Sequence, residues 1–344
     1  MSDGMTGGNT SGDSAVCEER TMTIAVTGGT GFVGRHIVSE LIERGHTVRV
    51  LARDAAQASQ ELPESDLIEV ISGGIFDDGP VADLVRGADA CVHLIGILRE
   101  GRGGQTFERM HVGAVKRITS ACAAAGVRRY VHMSAIAADP EGPSAYQKTK
   151  FEGEQAVRAS GLDWTIFRPG LIHGPGGEFM KMAQGWAEGR SAPFVFLPFF
   201  YRLEQDGLPS PVNPPRLVEP VVAPVHVDDI ARLFADAVTT PDAIGESYNV
   251  SGPEQIAFPD LLRLVRDTVP HGKEGMPAIG IPGRVAAAKA MAAKALGLGG
   301  LLPFDAGMAL MGEQDAVADN TKAERHFGFE PREFSASAKA YLAG

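Results

Sequence analysis

Short apolar runs alternate along the first half of the chain with segments whose apolar residues recur at helical spacing. Thr23–Thr27 is a β-branched run that predicts a buried strand, and Thr47–Ala52 predicts a second one after an amphipathic helix. This alternation predicts a parallel sheet covered by helices on both faces. Further strands are predicted over Leu67–Ile71, Ala90–Ile95, Arg129–Ser134, Asp163–Phe167 and Ser247–Val250, with helices over Pro80–Arg86, Thr106–Gly126, Ala145–Ser160 and Phe258–Val269.

A glycine-rich turn separates the first strand from the first helix. Gly28, Gly31 and Gly34 follow one another at a constant spacing of three residues. One glycine permits a tight turn, another lets backbone N–H groups approach a phosphate, and a third lets the helix pack closely on the strand. Because a second strand completes the unit, the pattern predicts a dinucleotide-binding turn. Its cofactor-contacting residues are predicted to be Gly28, Thr30, Gly31, Phe32, Val33 and Gly34.

A second group of chemistry-bearing residues follows the fifth strand. Ser134 ends that strand, and Tyr146 and Lys150 lie four residues apart on the next helix, so they share one face. A positive charge beside a phenol favours its ionised form, which lets tyrosine exchange a proton with a substrate oxygen. We therefore predict that Tyr146 is the acid/base, that Lys150 tunes it, and that Ser134 holds the substrate oxygen.

The Gly-x-x-Gly-x-x-Gly turn after Thr27 and the Tyr-x-x-x-Lys pair resemble the short-chain dehydrogenase/reductase superfamily, in its extended or atypical, epimerase/dehydratase-like branch. The Arg-Pro turn at Arg168 and the late segment Asn320–Ala323 are similar to the subgroup of the nucleotide-binding accessory subunit of respiratory complex I. The resemblance implies a Rossmann-type doubly wound parallel sheet with a smaller, discontinuous substrate lobe. It also implies cofactor contacts from Lys150, Leu94, Ile95, Gly96, Pro169 and Leu171.

The chain departs from the pattern of this superfamily at two places. In many extended members the active hydroxyl lies one or two residues beyond the position of Ser134, where this chain has Ala135 and Ile136. Some members carry an asparagine on the preceding helix, linked to the lysine through water, where this chain has His111. The His111 departure puts an intact proton relay in question.

The end of the second strand indicates which dinucleotide the turn binds. An acid there would hold the ribose hydroxyls of NAD, whereas a guanidinium suits the 2′-phosphate of NADP. This chain has Ala52 followed by Arg53, which favours NADP(H) over NAD(H). Asp54 keeps NAD(H) open, because a shift of one residue in the strand end would bring an acid near the ribose.

The patterns divide the chain into four parts. Residues 1–20, rich in Gly, Ser, Thr and Asp, predict a disordered leader without the features of a secretory signal. Residues 21–170 predict the NAD(P)-binding Rossmann domain, and residues 225–252 predict the return of the chain to that domain. Residues 171–224 and 253–344 are predicted to form the substrate lobe.

Composition narrows the classes of partner. The formal net charge of −11 argues against a nucleic-acid ligand. The 3 cysteines and 9 histidines lack metal-ligand spacing, so we expect no metal and a reducing, cytoplasmic location. No apolar run reaches the roughly 18 residues of a membrane-spanning helix.

The segment Ile281–Leu302 is rich in Ala, Leu and Gly, and it carries Arg284, Lys289 and Lys294 without an acid. A basic apolar helix is typical of weak membrane-surface contact. However, cations five residues apart turn by about 140° along a helix, so they do not form one stripe. Packing within the substrate lobe is therefore favoured over membrane contact. The family resemblance also implies a homodimer through the helices predicted over 106–126 and 145–160.

These features predict an NAD(P)(H)-dependent oxidoreductase that transfers hydride at a carbonyl or hydroxyl carbon of an unidentified small molecule. One alternative is a nucleotide-sugar-type epimerase or dehydratase that uses the same hydride chemistry transiently. The other is a non-catalytic NADP(H)-binding accessory or sensor protein, related to a respiratory complex or to quinones. Tyr146 and Lys150 favour an enzyme, whereas His111 and the displaced hydroxyl favour the binding protein.

Overall fold

The computed structural model describes residues 21–101, 103–205, 214–297, 302 and 304–343, and the predicted leader at residues 1–20 lies outside them. The strands of this structure are short and run through both halves of the chain. They are β1 (Thr23–Thr27), β2 (Thr47–Ala52), β3 (Ile68–Ser72), β4 (Ala90–His93), β5 (Arg129–Met133), β6 (Asp163–Pro169), β7 (Ile172–His173), β8 (Leu197–Glu204), β9 (Arg216–Val218), β10 (Val221–Val222), β11 (Val225–His226), β12 (Glu246–Val250), β13 (Ile256–Ala257) and β14 (Ala278–Pro282).

Helices connect these strands and cover both faces of the main sheet. They are α1 (Phe32–Glu43), α2 (Ala55–Glu61), α3 (Asp78–Val85), α4 (Ala114–Ala125), α5 (Ala145–Arg158), α6 (Glu178–Ala187), α7 (Val227–Thr239), α8 (Phe258–Thr268), α9 (Gly283–Ala295), α10 (Ala306–Met311), α11 (Thr321–Phe327) and α12 (Phe334–Leu342). A π-helical segment, Glu108–Gly113, leads directly into α4, and a short 3-10 turn, Pro241–Ala243, follows α7.

Seven strands form one parallel sheet in the order β12-β6-β5-β4-β1-β2-β3. The order changes direction between β1 and β4, and open sheets of this kind bind ligands beyond the carboxyl ends of the strands at that point. The predicted doubly wound, Rossmann-type sheet is therefore confirmed. The turn after β1, the loop after β4 and the segment after β5 all lie at this edge.

Two apolar layers hold the sheet between its helices. Ile37 of α1 and Phe234 of α7 are fully buried on one face, and Ile118 of α4 is fully buried on the other. Strands covered on both faces read as continuous apolar runs, which is why Thr23–Thr27 could be recognised from its sequence. The two layers fix the strand ends that carry the candidate site.

A second, smaller lobe is built around the three-stranded sheet β14-β8-β9. Its core contains Met180 of α6, Leu261 of α8 and Phe334 of α12, all nearly or fully buried. The helix pair α9 and α10 packs on the outer side of this sheet against Phe200 and Ile281. Within the described ranges, no helix combines the length and the apolar character needed to cross a membrane.

The division of the chain differs from the predicted one near the carboxyl terminus. Residues 253–344 were expected in the substrate lobe, but α11 packs on the Rossmann core. The ring of Phe327 lies 5.1 Å from that of Tyr248 and 5.7 Å from that of Phe167. Asn320 anchors this return, because its side chain accepts from the Ser251 amide at 3.0 Å and donates to the Ser251 carbonyl at 2.9 Å.

Candidate functional site

The glycine turn after β1 has the close packing that a dinucleotide-binding turn requires. Gly28 has a positive φ of 77°, and a Cβ there would lie 3.2 Å from the backbone of Leu94 and Ile95. A Cβ on Gly34 would lie only 2.1 Å from the Gly28 carbonyl oxygen. The turn therefore admits no side chain at Gly34, and it brings the predicted residues of the turn against those of the loop after β4.

The amino end of α1 is open to an anion. Gly31 precedes the helix without a side-chain cap, and the first turn, which holds Phe32, Val33 and Gly34, contains no acidic residue. The first N–H groups of such a helix lack intrahelical partners and carry its positive partial charge. Gly31 is exposed, and a Cβ there would meet only the Gly28 oxygen, at 3.3 Å. Thr30 lies half-buried in the same turn, so these residues fit a bound pyrophosphate.

The end of β2 separates the roles of two neighbouring charged residues. Ala52 is buried as the last residue of the strand, and Arg53 is exposed directly after it. The Asp54 side chain accepts a hydrogen bond from the Gln57 amide at 3.0 Å and caps α2. Asp54, the residue that left NAD(H) as an alternative in the sequence, therefore caps α2. Arg53 remains at the strand end.

Lys150 lies buried where β4, β5 and α5 meet. Its Nζ donates to the Met133 carbonyl at 3.2 Å, and a Cβ on Gly96 would lie 3.0 Å from the same nitrogen. The side chain is 6% exposed. Burial lowers the pKa of Lys150 to about 8, against an opposing effect of Glu154. The ammonium is therefore held at the carboxyl edge of the sheet, beside the loop that the sequence assigns to the cofactor.

Tyr146 lies one helical turn before Lys150 on the same side of α5 and is 7% exposed. Its ring makes edge contacts with the rings of His111 and Phe107, whose centroids are 5.3 Å and 5.8 Å away. Burial raises the pKa of Tyr146 to about 12. The phenol is therefore protonated at neutral pH in this structure.

Ser134 is engaged by a carboxylate that the sequence did not single out. Its hydroxyl donates to Glu154 at 2.6 Å, and Glu154 is completely buried. Glu154 also accepts a bidentate pair of bonds from Arg168 at 2.7 and 2.5 Å and one from Arg158 at 2.9 Å. The proton of Ser134 thus points to Glu154, and its predicted role toward a substrate oxygen stays a prediction.

His111 lies in the π-helical segment before α4, where the sequence predicted a regular helix over 106–126. His111 Nδ1 lies 2.9 Å from the Thr149 hydroxyl. Nε2 lies 3.2 Å from the Ile97 amide nitrogen and 3.1 Å from the Ile97 carbonyl oxygen, within hydrogen-bond distance of both. Burial and the Lys150 charge lower the pKa of His111 to about 3. A neutral His111 therefore ties the loop after β4 to α5.

Two further buried histidines lie next to the lysine and were missed in the sequence. The rings of His93 and His132 stack at 5.5 Å on neighbouring strands, and His93 Nδ1 pairs with the Thr27 hydroxyl at 2.6 Å. Among the described residues, His93 Nε2 and His132 Nδ1 have no hydrogen-bond partner. Burial, with the charge of Lys150, lowers the pKa of His93 to about 3. Alternation along β4 and β5 could have placed these rings together, but nothing in the sequence marks them as functional.

The remaining predicted cofactor residues lie at the same edge of the sheet. Leu94, Ile95 and Gly96 follow β4, which ends at His93, two residues earlier than predicted. Pro169 ends β6, and its carbonyl accepts from the Ile136 amide at 3.0 Å. Leu171 packs instead against the core of the second lobe.

A cavity of about 160 Å³ lies between the two lobes, next to the amino end of α5. Ile136, Ala137 and Gln147 line it on the Rossmann side, and Met311, Gln314 and Asp315 line it on the other. The Gln147 amide donates to Gln314 at 3.0 Å across the gap. Tyr146, Lys150 and Ser134 are not among the residues that line this cavity. Among the described residues, no group of His, Cys, Asp and Glu side chains is arranged to hold a metal ion.

Comparison with known proteins supports the nucleotide-binding site. A family model described as NAD(P)H-binding matches residues 28–185. The chain is 31% identical over 220 residues to a ceramide reductase of Caulobacter vibrioides, covering 63% of this chain and 61% of that protein. It is 32% identical over 235 residues to the (4-alkanoyl-5-oxo-2,5-dihydrofuran-3-yl)methyl phosphate reductase of Streptomyces griseus, covering 68% and 69%.

Relatives of other kinds share the same part of the chain. Subunit 9 of the alpha subcomplex of mitochondrial NADH dehydrogenase [ubiquinone] 1 from Rattus norvegicus is 27% identical, over 70% of this chain and 59% of that protein. The match thus spans less than two thirds of this subunit and of the ceramide reductase. A solved UDP-glucuronic acid 4-epimerase from Bacillus cereus with NAD has the same fold, with a TM-score of 0.66 and 18% identity over 92% of this chain and 94% of its own. The chain belongs to the NAD(P)-binding short-chain dehydrogenase/reductase superfamily, in the extended or atypical branch that its sequence motifs indicated.

Proposed function

We propose that the protein is an NADP(H)-dependent reductase that converts a carbonyl group to a hydroxyl group, with Tyr146 as the proton donor. The observation that carries the proposal is the burial of both Tyr146 and Lys150 on one face of α5. Lysine is almost never buried without a paired charge, and no described carboxylate lies within ion-pair distance of Lys150 Nζ. A buried ammonium and a buried phenol on one helix face are perturbed titratable groups of the kind that mark active sites.

The residues at the carboxyl edge fit a dinucleotide. The open amino end of α1 would hold the pyrophosphate, Lys150 the nicotinamide ribose, and Pro169 would border the nicotinamide ring. Arg53, exposed at the end of β2 while Asp54 caps α2, supports a preference for the 2′-phosphate of NADP(H). When bound, the cofactor supplies the hydride.

The protonation states favour reduction over oxidation. With a pKa of about 12, Tyr146 carries its proton at neutral pH and can give it to the oxygen of a carbonyl substrate. Lys150, with a pKa of about 8, is then positively charged and stabilises the phenolate that remains. Tyr146 would give its proton to the carbonyl oxygen as the carbon accepts hydride from the bound cofactor, and Tyr146 would then regain a proton from water.

Two relatives at 31 and 32% identity are named as reductases, which supports this activity over an epimerase or dehydratase. A non-catalytic NADP(H)-binding protein is the second candidate, because Ser134 donates to Glu154 and His111 is fixed by two hydrogen bonds. One relative is a subunit of mitochondrial NADH dehydrogenase, so a chain similar to this one is part of a larger complex. In this second function the same cofactor would be bound but not consumed.

The test is NADPH consumption by the purified protein with a panel of quinones, long-chain ketones and sugar nucleotides. We expect turnover with at least one carbonyl compound and a loss of about 100-fold or more in Tyr146→Phe. Tyr201→Phe, which removes a half-buried hydroxyl in β8, is the matched control and should leave turnover unchanged. Equal turnover by Tyr146→Phe would refute the mechanism. Tight NADPH binding without consumption in any reaction would favour the binding protein, and product formation without net NADPH use would favour the epimerase.

A further inference from the structure

Helix α9 packs on the second lobe by one face only. Ala286 and Ala287 are buried against the side chains of Phe200 and Ile281 and against α10, and Ala290 is buried as well. These small residues let the helix lie close to the three-stranded sheet. The opposite face is open to solvent, and it carries larger side chains than the buried face does.

Three apolar side chains of α9 are strongly exposed. Val285 is 47% exposed, Met291 58%, and Leu296, at the end of the helix, 75%. At about 100° per residue, Val285 and Leu296 lie within about 20° of each other around the helix axis. Ala288 and Ala292 lie between them along the helix and are also exposed. Together, Val285, Ala288, Ala292 and Leu296 form a continuous apolar strip.

Cations flank this apolar strip on both sides. Arg284 and Lys289 are separated by about 140° around the axis, so one lies on each side of the strip. The sequence argument against a membrane contact was that these charges do not form one stripe. In the structure, the apolar strip lies between these two cations. If the strip were buried in another surface, the long basic side chains could still place their charges among polar groups.

The acids near α9 do little to neutralise it. Glu313 lies 3.9 Å from Arg284, whose side chain is 90% exposed. Glu100 lies 3.9 Å from Lys294, whose side chain is 82% exposed. Exposed ion pairs at this distance are weak. The helix itself contains no acidic residue, so its outer face is basic on a chain with a net charge of −11.

The position of α9 relates it to the candidate site. Its carboxyl end lies next to Glu100, in the loop that follows β4 at the ligand-binding edge of the sheet. Leu98 in the same loop is 59% exposed. Contact through α9 would therefore bring the site's edge toward the surface that the helix binds.

We infer that the outer face of α9 docks on an anionic lipid surface, with its helix axis in the plane of the headgroups. An apolar strip flanked by cations is the arrangement that interfacial helices use, and the charge complements acidic lipids. A second copy bound symmetrically through α9 would bring the same cations face to face, which disfavours that occupant. The inference does not depend on the proposed reductase activity.

The experiment is flotation of the purified full-length chain with two kinds of vesicle. One contains phosphatidylcholine alone, and the other contains in addition roughly a third phosphatidylglycerol as the anionic lipid. We expect binding to the anionic vesicles, little binding to the neutral ones, and loss of binding as salt is raised. The double variant Arg284→Glu/Lys289→Glu should bind at least about 20-fold more weakly, since each basic residue contributes about fivefold.

Two further variants separate the outer face of α9 from general charge. Val285→Glu/Leu296→Glu removes the apolar strip and should also abolish binding. Lys116→Glu reverses an exposed cation on α4, in the other lobe, and should bind like the wild type. Because every substituted residue is exposed, the melting temperature should be unchanged, and circular dichroism checks this.

Three results would overturn the inference. The first is wild-type binding that does not depend on the anionic lipid. The second is an equal loss in Lys116→Glu and in the α9 variants, which would indicate attraction by overall charge. The third is an oligomer in light scattering that the α9 variants dissociate, in a protein that does not float with vesicles; that result would assign the face to self-association.

Discussion

Glu154 is the buried acceptor on which the position of α5 depends. It receives the Ser134 hydroxyl from the end of β5, Arg168 from β6 and Arg158 from α5 itself. Its side chain has no solvent exposure. The network therefore joins the helix that carries Tyr146 to two strand ends, and its removal should be measurable as lost stability.

The expected loss follows from what Glu154→Ala leaves behind. Two guanidinium groups and one buried hydroxyl lose their acceptor. Breaking a buried ion pair on one side costs about 3–5 kcal/mol. Because the Arg168 and Arg158 side chains are 22% and 29% exposed, water compensates in part, and we expect about 3 kcal/mol. With an unfolding entropy of about 2.1 cal/mol/K per residue, the 344-residue chain should melt roughly 4 °C lower.

The assay is urea and thermal unfolding of Glu154→Ala beside Glu152→Ala. Glu152 lies on the same helix but is exposed, so its removal should change the free energy of unfolding by less than about 0.5 kcal/mol. If both variants unfold like the wild type, the network does not stabilise the helix and the reasoning is wrong.

Acid should weaken the same network. Burial by itself raises the pKa of Glu154, but the hydrogen bonds from Arg168 and Ser134 outweigh it and hold the pKa below its ordinary value. A carboxyl whose pKa is lower in the folded state stabilises the fold above its unfolded pKa of about 4.3, and this contribution is lost as the pH falls through the folded pKa. The stability difference between wild type and Glu154→Gln should therefore shrink in acid, and denaturation at several pH values measures it.

Two other substitutions test the site. Gly34→Ala places a Cβ 2.1 Å from the Gly28 oxygen, so calorimetry should detect no NADPH binding, whereas Gly79→Ala, which meets no atom within 4 Å, should bind normally; normal binding by Gly34→Ala would contradict the packing argument. Lys150→Met should be more stable than the wild type at pH 7, by on the order of 3 kcal/mol, because burial lowers the lysine pKa to about 8. This gain should disappear toward pH 10, where the unfolded lysine also loses its proton, and turnover should be lost at every pH; an unchanged stability would show that Lys150 is not held in a desolvated site.

The glycine turn and the tyrosine-lysine pair were predictable because short-range rules determine them. Neighbouring residues determine the strand, the turn of fixed glycine spacing and the amphipathic helix. A spacing of four residues places Tyr146 and Lys150 on one helix face. In the structure both residues are buried on α5, and their catalytic roles stay predictions.

The network around Glu154 could not be predicted, since it depends on tertiary contacts. In the sequence, Glu154 resembles a surface partner for Lys150 one helical turn away. The pairing of β5 with β6 brings Arg168 to Glu154. In the same network the Ser134 hydroxyl donates to Glu154. Likewise, the exposed strip on α9 becomes visible once the alanines that face the lobe are known.

The central claim, that the turn after β1 binds NADP(H), is tested most directly by fluorescence titration of the nucleotide-free protein. NADPH and NADH are titrated separately into the wild type, into Arg53→Ala, and into Arg86→Ala as an exposed control in the other helix layer. The account predicts tighter binding of NADPH, a loss of about tenfold or more for NADPH in Arg53→Ala only, and little change for NADH. Equal or tighter binding of NADH would contradict the assigned preference. Failure of both nucleotides to bind would contradict the account as a whole.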